Sequence, residues 1–183
     1  MIIGITGTDG AGKGVAVDYL VRERGFTHYS AREMIVEEIK KRGLPVDREH
    51  MRLVANSLRG EFGNDVIVQK GFERMKREGA ENVVIESIRT LAEAEYLKTH
   101  GGVLIAVDAD QRLRYERIRS RASESDRVTF IQFVEHEQLE MHDPDPHGMQ
   151  KAKVIQEADY TILNNQTRDR VYQQVENILR SLQ

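Results

Sequence analysis

Three glycines and a lysine near the start of the chain, Gly7, Gly10, Gly12 and Lys13, stand in the run Gly7-Thr8-Asp9-Gly10-Ala11-Gly12-Lys13-Gly14. Glycines let a backbone turn tightly and point several N–H groups at one place, and a lysine adds a mobile cation. Such a loop holds a chain of phosphates when a buried strand enters it and a helix leaves it. Both are expected here. Ile2 to Ile5 is an apolar run suited to a short buried strand, and Val15 to Arg24 is patterned as a helix. The orphan N–H groups and positive dipole end of that helix would face the same anion. The spacing Gly7-x4-Gly12-Lys13 is that of a P-loop, with Gly14 where Ser or Thr usually meets magnesium. A plain glycine turn with a solvated lysine is the alternative, and the flanking strand and helix weigh against it. The loop is therefore read as a nucleoside triphosphate site, with Gly7, Asp9, Gly10, Ala11, Gly12, Lys13, Gly14 and Val15 as its binding positions.

Further chemistry lies at the ends of other apolar runs. Val83 to Glu86 ends in an acid, placed to hold magnesium or its bound waters beside a P-loop, and Arg89 follows to clamp a second phosphate. Ser30 and Glu33 have capping-box spacing, which alone would account for both. Arg32 sits in the first turn of that helix, where the dipole disfavours a cation unless an anion is bound. Arg114, Arg117 and Arg121 share one helical face and would repel one another without an anion across them. The polar stretch Ala122 to Arg127 follows, so a lid over about 117–128 is expected to fold onto the phosphates. Arg127 is counted with the substrate residues. Asn164-Asn165-Gln166-Thr167 is a turn able to present amides to a base. His142 to His147 contains two prolines and reads as an extended connector rather than a metal site. Met51, Phe62, Phe72 and Met75 read as core.

The elements that must position these groups alternate. Strands are expected at Ile2–Thr6, Phe26–Ser30, Val83–Glu86, Gly102–Val107 and Tyr160–Leu163, each separated by helical patterns. That alternation implies parallel strands with helical crossovers, hence a three-layer α/β fold with its chemistry at the carboxyl ends of the strands. With 183 residues and no shift in composition, one domain over 1–183 is expected, with an acceptor-side helical region at about 31–80. The net charge of −3 gives no global attraction to nucleic acid or anionic membrane. No stretch approaches the roughly 18 apolar residues of a membrane span. The absence of cysteine excludes disulfides, thiolate zinc sites and cysteine nucleophiles. With no export signal at the N-terminus, a cytoplasmic enzyme is expected.

Together these residues resemble the P-loop nucleoside and nucleotide monophosphate kinases over nearly the whole chain. Gly10 to Gly14 is similar to the adenylate kinase loop, with Val15 where a threonine usually follows. Tyr29–Ile35 resembles that family's acceptor segment, and Arg32 stands near the family arginine whose own place holds Val36. Val84–Thr90 resembles its strand-end acid and phosphate arginine, assigning Glu86 and Arg89. Val107–Arg121 matches the approach to the lid, with Arg117 and Arg121 as phosphate arginines, whereas the following helix carries Glu135, Glu137 and Glu140 in place of further arginines. Gly7 to Gly10 resembles the thymidylate kinase loop, whose carboxylate, here Asp9, faces the acceptor sugar; Ala158 to Thr167 resembles dephospho-CoA kinase.

The resemblance implies ATP- and magnesium-dependent phosphoryl transfer to a small nucleotide, most simply a (deoxy)nucleoside monophosphate. Lys13, Glu86, Arg117 and Arg121 would be catalytic, Asn165 would help hold ATP, and Asp9, Ser30, Arg32, Glu33, Arg89 and Arg127 would hold the acceptor. Glu86 would meet magnesium through water. Dephospho-CoA is the alternative acceptor, and a nucleotide-binding switch or regulatory ATPase is the alternative of another class.

Overall fold

The computed structural model describes residues 1–120 and 128–183. Five strands form one sheet in the order β2-β3-β1-β4-β5: β1 is Ile2–Gly7, β2 Thr27–Ser30, β3 Val83–Glu86, β4 Gly102–Asp108 and β5 Tyr160–Leu163. Every pairing is parallel. The central β1 has β3 on one side and β4 on the other, so the crevice expected in such sheets opens at its carboxyl end. The strands fall where the apolar runs placed them, with ends shifted by one residue in three of them.

Side chains alternate across the sheet, as a pleated strand requires. Ile3, Ile5, Val84, Ile105 and Val107 face α1 (Lys13–Arg24) and α9 (Arg168–Ser181), meeting Val17, Leu20, Val171 and Val175. Val83, Ile85 and Leu104 face the other way, against α4 (Val66–Glu78), α5 (Leu91–Thr99) and α8 (Lys151–Gln156), meeting Phe72, Leu97 and Val154. Helices thus cover both faces. On the second face β1 presents Gly4, where a Cβ would lie 2.3 Å from the Leu97 side chain, so α5 seats directly on the strand.

The acceptor-side region packs on its own apolar seam, in which Ile35 and Ile39 of α2 (Ala31–Lys41) meet Val54 and Leu58 of α3 (Arg48–Phe62) and Ile67 of α4. Ser30 Oγ accepts from the Glu33 N–H to cap α2, and Asp47 caps α3 through the His50 N–H. After α6 (Gln111–Ser120), α7 (Phe130–Met141) starts in the full Thr129–Gln132 capping box. Phe72 is in the core, but Phe62 is 55% exposed, because it ends α3 on the side away from that seam.

Candidate nucleotide and phosphate site

The first loop is shaped by contacts that only its glycines permit. Gly7, Gly10 and Gly12 have φ of 129°, 79° and 87°, the left-handed region that glycine enters without a Cβ penalty. A Cβ on Gly7 would lie 2.0 Å from the Val107 carbonyl, and one on Gly10 would lie 2.5 Å from that of Arg114. Neither backbone atom has room to yield. Gly12 forms the N-cap of α1 without any side-chain cap, which leaves the N–H groups of Lys13 and Gly14 for an outside anion, that of Val15 donating to the Gly12 carbonyl. Gly14 has open space where its side chain would be, so crowding does not explain the missing hydroxyl. Val15 instead packs against the core.

Lys13 folds back over the loop, its ammonium 3.1 Å from the Gly7 carbonyl and 2.9 Å from that of Thr8. Burial lowers its pKa to about 8, against the carboxylate of Asp9; the cations of Lys151 and Arg89 push the same way as burial. The ammonium therefore remains charged at neutral pH while held by neutral carbonyls, a state that a polyphosphate would relieve.

Two residues far along the chain brace the loop. Asn164, 5% exposed, donates from Nδ2 to the Ala11 carbonyl at 2.7 Å. Arg117 reaches the same carbonyl at 3.4 Å and the Asn164 carbonyl at 2.8 Å. Asn164 is thus turned toward the loop. Asn165 is exposed and exchanges hydrogen bonds with Asp110, donating to its carboxylate and accepting from its N–H, at the lip of the same end of the sheet.

Glu86 is level with Ile5 of β1 and Ser30 of β2. Its Oε2 lies 3.3 Å from Nε2 of His28. The His28 contact lowers the pKa of Glu86, outweighing its burial, and Lys13 and Arg89 add to the effect. The next residue, Ser87, has a φ of 72°, and both its N–H and that of Ile88 donate to the Ile5 carbonyl. A non-glycine residue in that conformation is strained, and here the strain turns the chain away immediately after the acid. A half-buried, ionised carboxylate at a strand tip, close enough to Lys13 to affect its titration, fits a magnesium ion held through water.

Arg89 is about one-quarter exposed, donates to Met149 Sδ at 3.1 Å and lies 3.9 Å from Glu140. Its backbone is fixed by Glu93, whose Oε2 accepts from the N–H groups of Arg89 and Thr90 and whose Oε1 pairs with Arg59 at 3.1 Å in full burial. Asp9 carries a feature the sequence did not signal: its Oδ1 is 2.9 Å from Nζ of Lys151, which is 3% exposed and also bonds Glu140. Burial would raise the pKa of Asp9, but Lys151, Lys13 and Arg89 hold it well below the usual carboxylate range.

Lys13, Asp9, Glu86 and Arg89 are thus brought into one electrostatic neighbourhood. Arg32 and Glu33 are exposed on the first turn of α2, and Ser30 is occupied as a cap. Arg121, Arg127 and all of the expected lid except 117–120 and 128 lie outside the described residues. Arg114 does not wait for a ligand: Glu137 of α7 supplies its anion, within a pair almost wholly buried. The His142–His147 stretch docks on α3 and the turn after it, through Asn56 to Asp145 and His147 to Asn64. Among the described residues no group of three or more His, Asp or Glu side chains is arranged to hold a metal by itself. No described helix is long and apolar enough to cross a membrane.

Comparison with known proteins agrees with this arrangement. A family model described as an AAA domain matches residues 3–145. The UPF0200 protein of Methanocaldococcus jannaschii is 31% identical over 100% of the chain and 90% of its own length. That of Methanothermobacter thermautotrophicus is 33% identical with the same coverage. The chain is an AAA-domain protein of the UPF0200 family. Among solved structures, this UPF0200 chain is similar to shikimate kinase from Bacteroides thetaiotaomicron, with a TM-score of 0.64, 15% identity and coverage of 100% and 98% of the two chains. Shikimate kinase from Aquifex aeolicus gives 0.59, with 17% identity and coverage of 100% and 96%. The fold is that of the P-loop, nucleoside monophosphate kinase-like superfamily.

Proposed function

We propose that the protein transfers a phosphoryl group from ATP, with magnesium, to a small phosphate-bearing acceptor, most simply a (deoxy)nucleoside monophosphate. The observation that carries this reading is the convergence of donor-side and acceptor-side groups: Asp9, Glu86 and Arg89 all lie close enough to Lys13 to shift its titration. Phosphoryl transfer needs mainly positioning and neutralisation of charge, and these groups supply both.

Lys13 and the N–H groups at the start of α1 hold the outer phosphates of the donor. Arg117, braced beside the loop, faces the same phosphates, with Arg121 joining from the lid. Glu86 orients water around magnesium, which would neutralise the phosphate charge when bound. Arg89, with Arg32, Ser30 and Glu33 on the acceptor side and Arg127 from the lid, receives the acceptor. An arginine facing an uncharged alcohol would be left without its counter-ion, which favours an acceptor that brings a phosphate. Asn165 lies at the rim where a base would rest. One domain, acting on small molecules in the cytoplasm, completes the proposal.

The test is ADP formation from ATP and magnesium across the ribo- and deoxynucleoside monophosphates, dephospho-CoA and shikimate. Turnover with one monophosphate, reduced by orders of magnitude in Lys13→Ala and with a raised acceptor KM in Arg89→Ala, is the expected result. Activity confined to dephospho-CoA or shikimate overturns the choice of acceptor. ATP consumption indifferent to every acceptor but raised by a protein partner would replace the kinase with a regulatory ATPase.

A further inference from the structure

Glu140 is the residue whose position the function above does not absorb. It belongs to α7, yet its Oε2 is shared by two cations from elsewhere: Lys151 Nζ of α8 bonds it directly, and Arg89 Nη1 lies 3.9 Å away. Two cations converging on one oxygen is the geometry that an anion with several oxygens satisfies better than a carboxylate does. The partners differ in their freedom. Lys151 has a side-chain exposure of 4%, is tied to Asp9 at 2.9 Å, and needs a counter-ion wherever the chain carries it. Glu140 is 21% exposed, so its side chain reaches water by rotation alone. Arg89 is underused in this state, since a thioether sulfur is its hydrogen-bond acceptor among the described residues and sulfur accepts weakly.

We infer that Arg89 and Lys151 form the acceptor's phosphate subsite, and that Glu140 is a resident counter-ion which an incoming phosphomonoester displaces. The phosphate takes one oxygen to the guanidinium and another to the ammonium, while Asp9 stays on Lys151 and holds it in place. Charge follows the exchange. Lys13, Arg89 and Lys151 are balanced against Asp9, Glu86 and Glu140, and removal of Glu140 leaves the subsite cationic. Glu140 therefore keeps the empty cleft neutral and makes the subsite selective for anions stronger than a single carboxylate. This assignment rests on the phosphate-bearing acceptor proposed above, and it adds Lys151 beside Arg89 at the phosphate itself, leaving Arg32, exposed on α2, to the rest of the acceptor.

The experiment is calorimetric titration with inorganic phosphate while the donor site is filled with magnesium and a non-hydrolysable ATP analogue. Glu140→Gln, which keeps the shape and removes the charge, is expected to bind phosphate about fivefold or more tightly than the wild type, and Lys151→Met about tenfold more weakly. Unchanged or weaker binding in Glu140→Gln overturns the inference. So does wild-type binding in a folded Lys151→Met. If circular dichroism shows that Lys151→Met does not fold, Glu140→Gln and Glu140→Ala decide alone, since both alter a partly exposed side chain. Failure of the kinase reading is separate: it appears as no ADP from any monophosphate, whatever the phosphate titration shows.

Discussion

Removing Glu137 should cost the protein much of its stability, and removing Arg114 with it should restore most of what is lost. The side chains of this pair are 6% and 8% exposed. In Glu137→Leu the guanidinium would keep the Ala109 carbonyl at 2.8 Å and the Asp9 carbonyl at 3.2 Å, and Asp108 lies 3.7 Å away. Breaking a buried pair by deleting one partner costs about 3–5 kcal/mol. Asp108 is half-exposed and compensates in part, which places the expected loss near ~3 kcal/mol. For a chain of this length that is a fall of about 6–12 °C in Tm. The double variant Arg114→Met/Glu137→Leu replaces both charges by apolar groups and should return to within about 1 kcal/mol of the wild type. Urea denaturation of the four proteins gives the cycle. Nucleotide binding should not recover with stability, because Arg114 also donates to the Asp9 carbonyl in the phosphate loop. A loss below about 1 kcal/mol in Glu137→Leu, or single effects that simply add in the double variant, would refute the reasoning.

Other outcomes follow from the same geometry. Lys13 has its pKa lowered to about 8, so kcat/KM for ATP should fall as pH rises through that value, while kcat holds to higher pH because bound phosphate favours the charged amine; a flat kcat/KM up to pH ~10 would remove Lys13 from donor binding. Gly12→Ala places a Cβ 2.3 Å from Asn164 Nδ2 at a φ of 87° and should weaken binding of a fluorescent ATP analogue at least about tenfold. Adding Asn164→Ala relieves the contact but not the backbone conformation, so affinity should stay low; full rescue would mean the side-chain clash alone mattered. Ser30→Ala should cost about 1 kcal/mol through the lost cap of α2, and Ser30→Asp, itself a capping residue, should restore it. No change in the urea midpoint of Ser30→Ala would show that the cap contributes nothing.

The fold was legible because its determinants are local. Apolar runs such as Val83 to Ile85 announce buried parallel strands, and the glycine spacing at 7, 10 and 12 is itself the backbone conformation. The positions of candidate site residues were legible where a residue follows a strand or loop directly, as Lys13 and Glu86 do. What the sequence concealed are pairings made by the tertiary structure. Lys151 begins a helix of six residues, too short to show a period, and nothing near it indicates that it meets Asp9. The basic face of α6 looked like a binding surface, yet Arg114 is satisfied internally by an acid from α7. Asn164 sat in a turn read as facing a base, and only the junction of β4 and β5 turns it onto Ala11.

That last contact sets an order of events during synthesis. The Ala11 carbonyl is clamped by a side chain 153 residues further along, and the Asn164 backbone is itself held by the Asp108 carbonyl at 2.8 Å. While the ribosome is still adding β5, the strands β1 to β4 are already available to pair, but the loop between β1 and α1 has only the earlier contacts of Arg114 and Arg117 and lacks the Asn164 clamp. A nascent chain stopped before residue 160 should therefore carry a nearly complete sheet and still hold a nucleotide less tightly than the full chain. Retention on an ATP resin, compared between chains ending before residue 160 and the full chain, should therefore rise once the last strand is present.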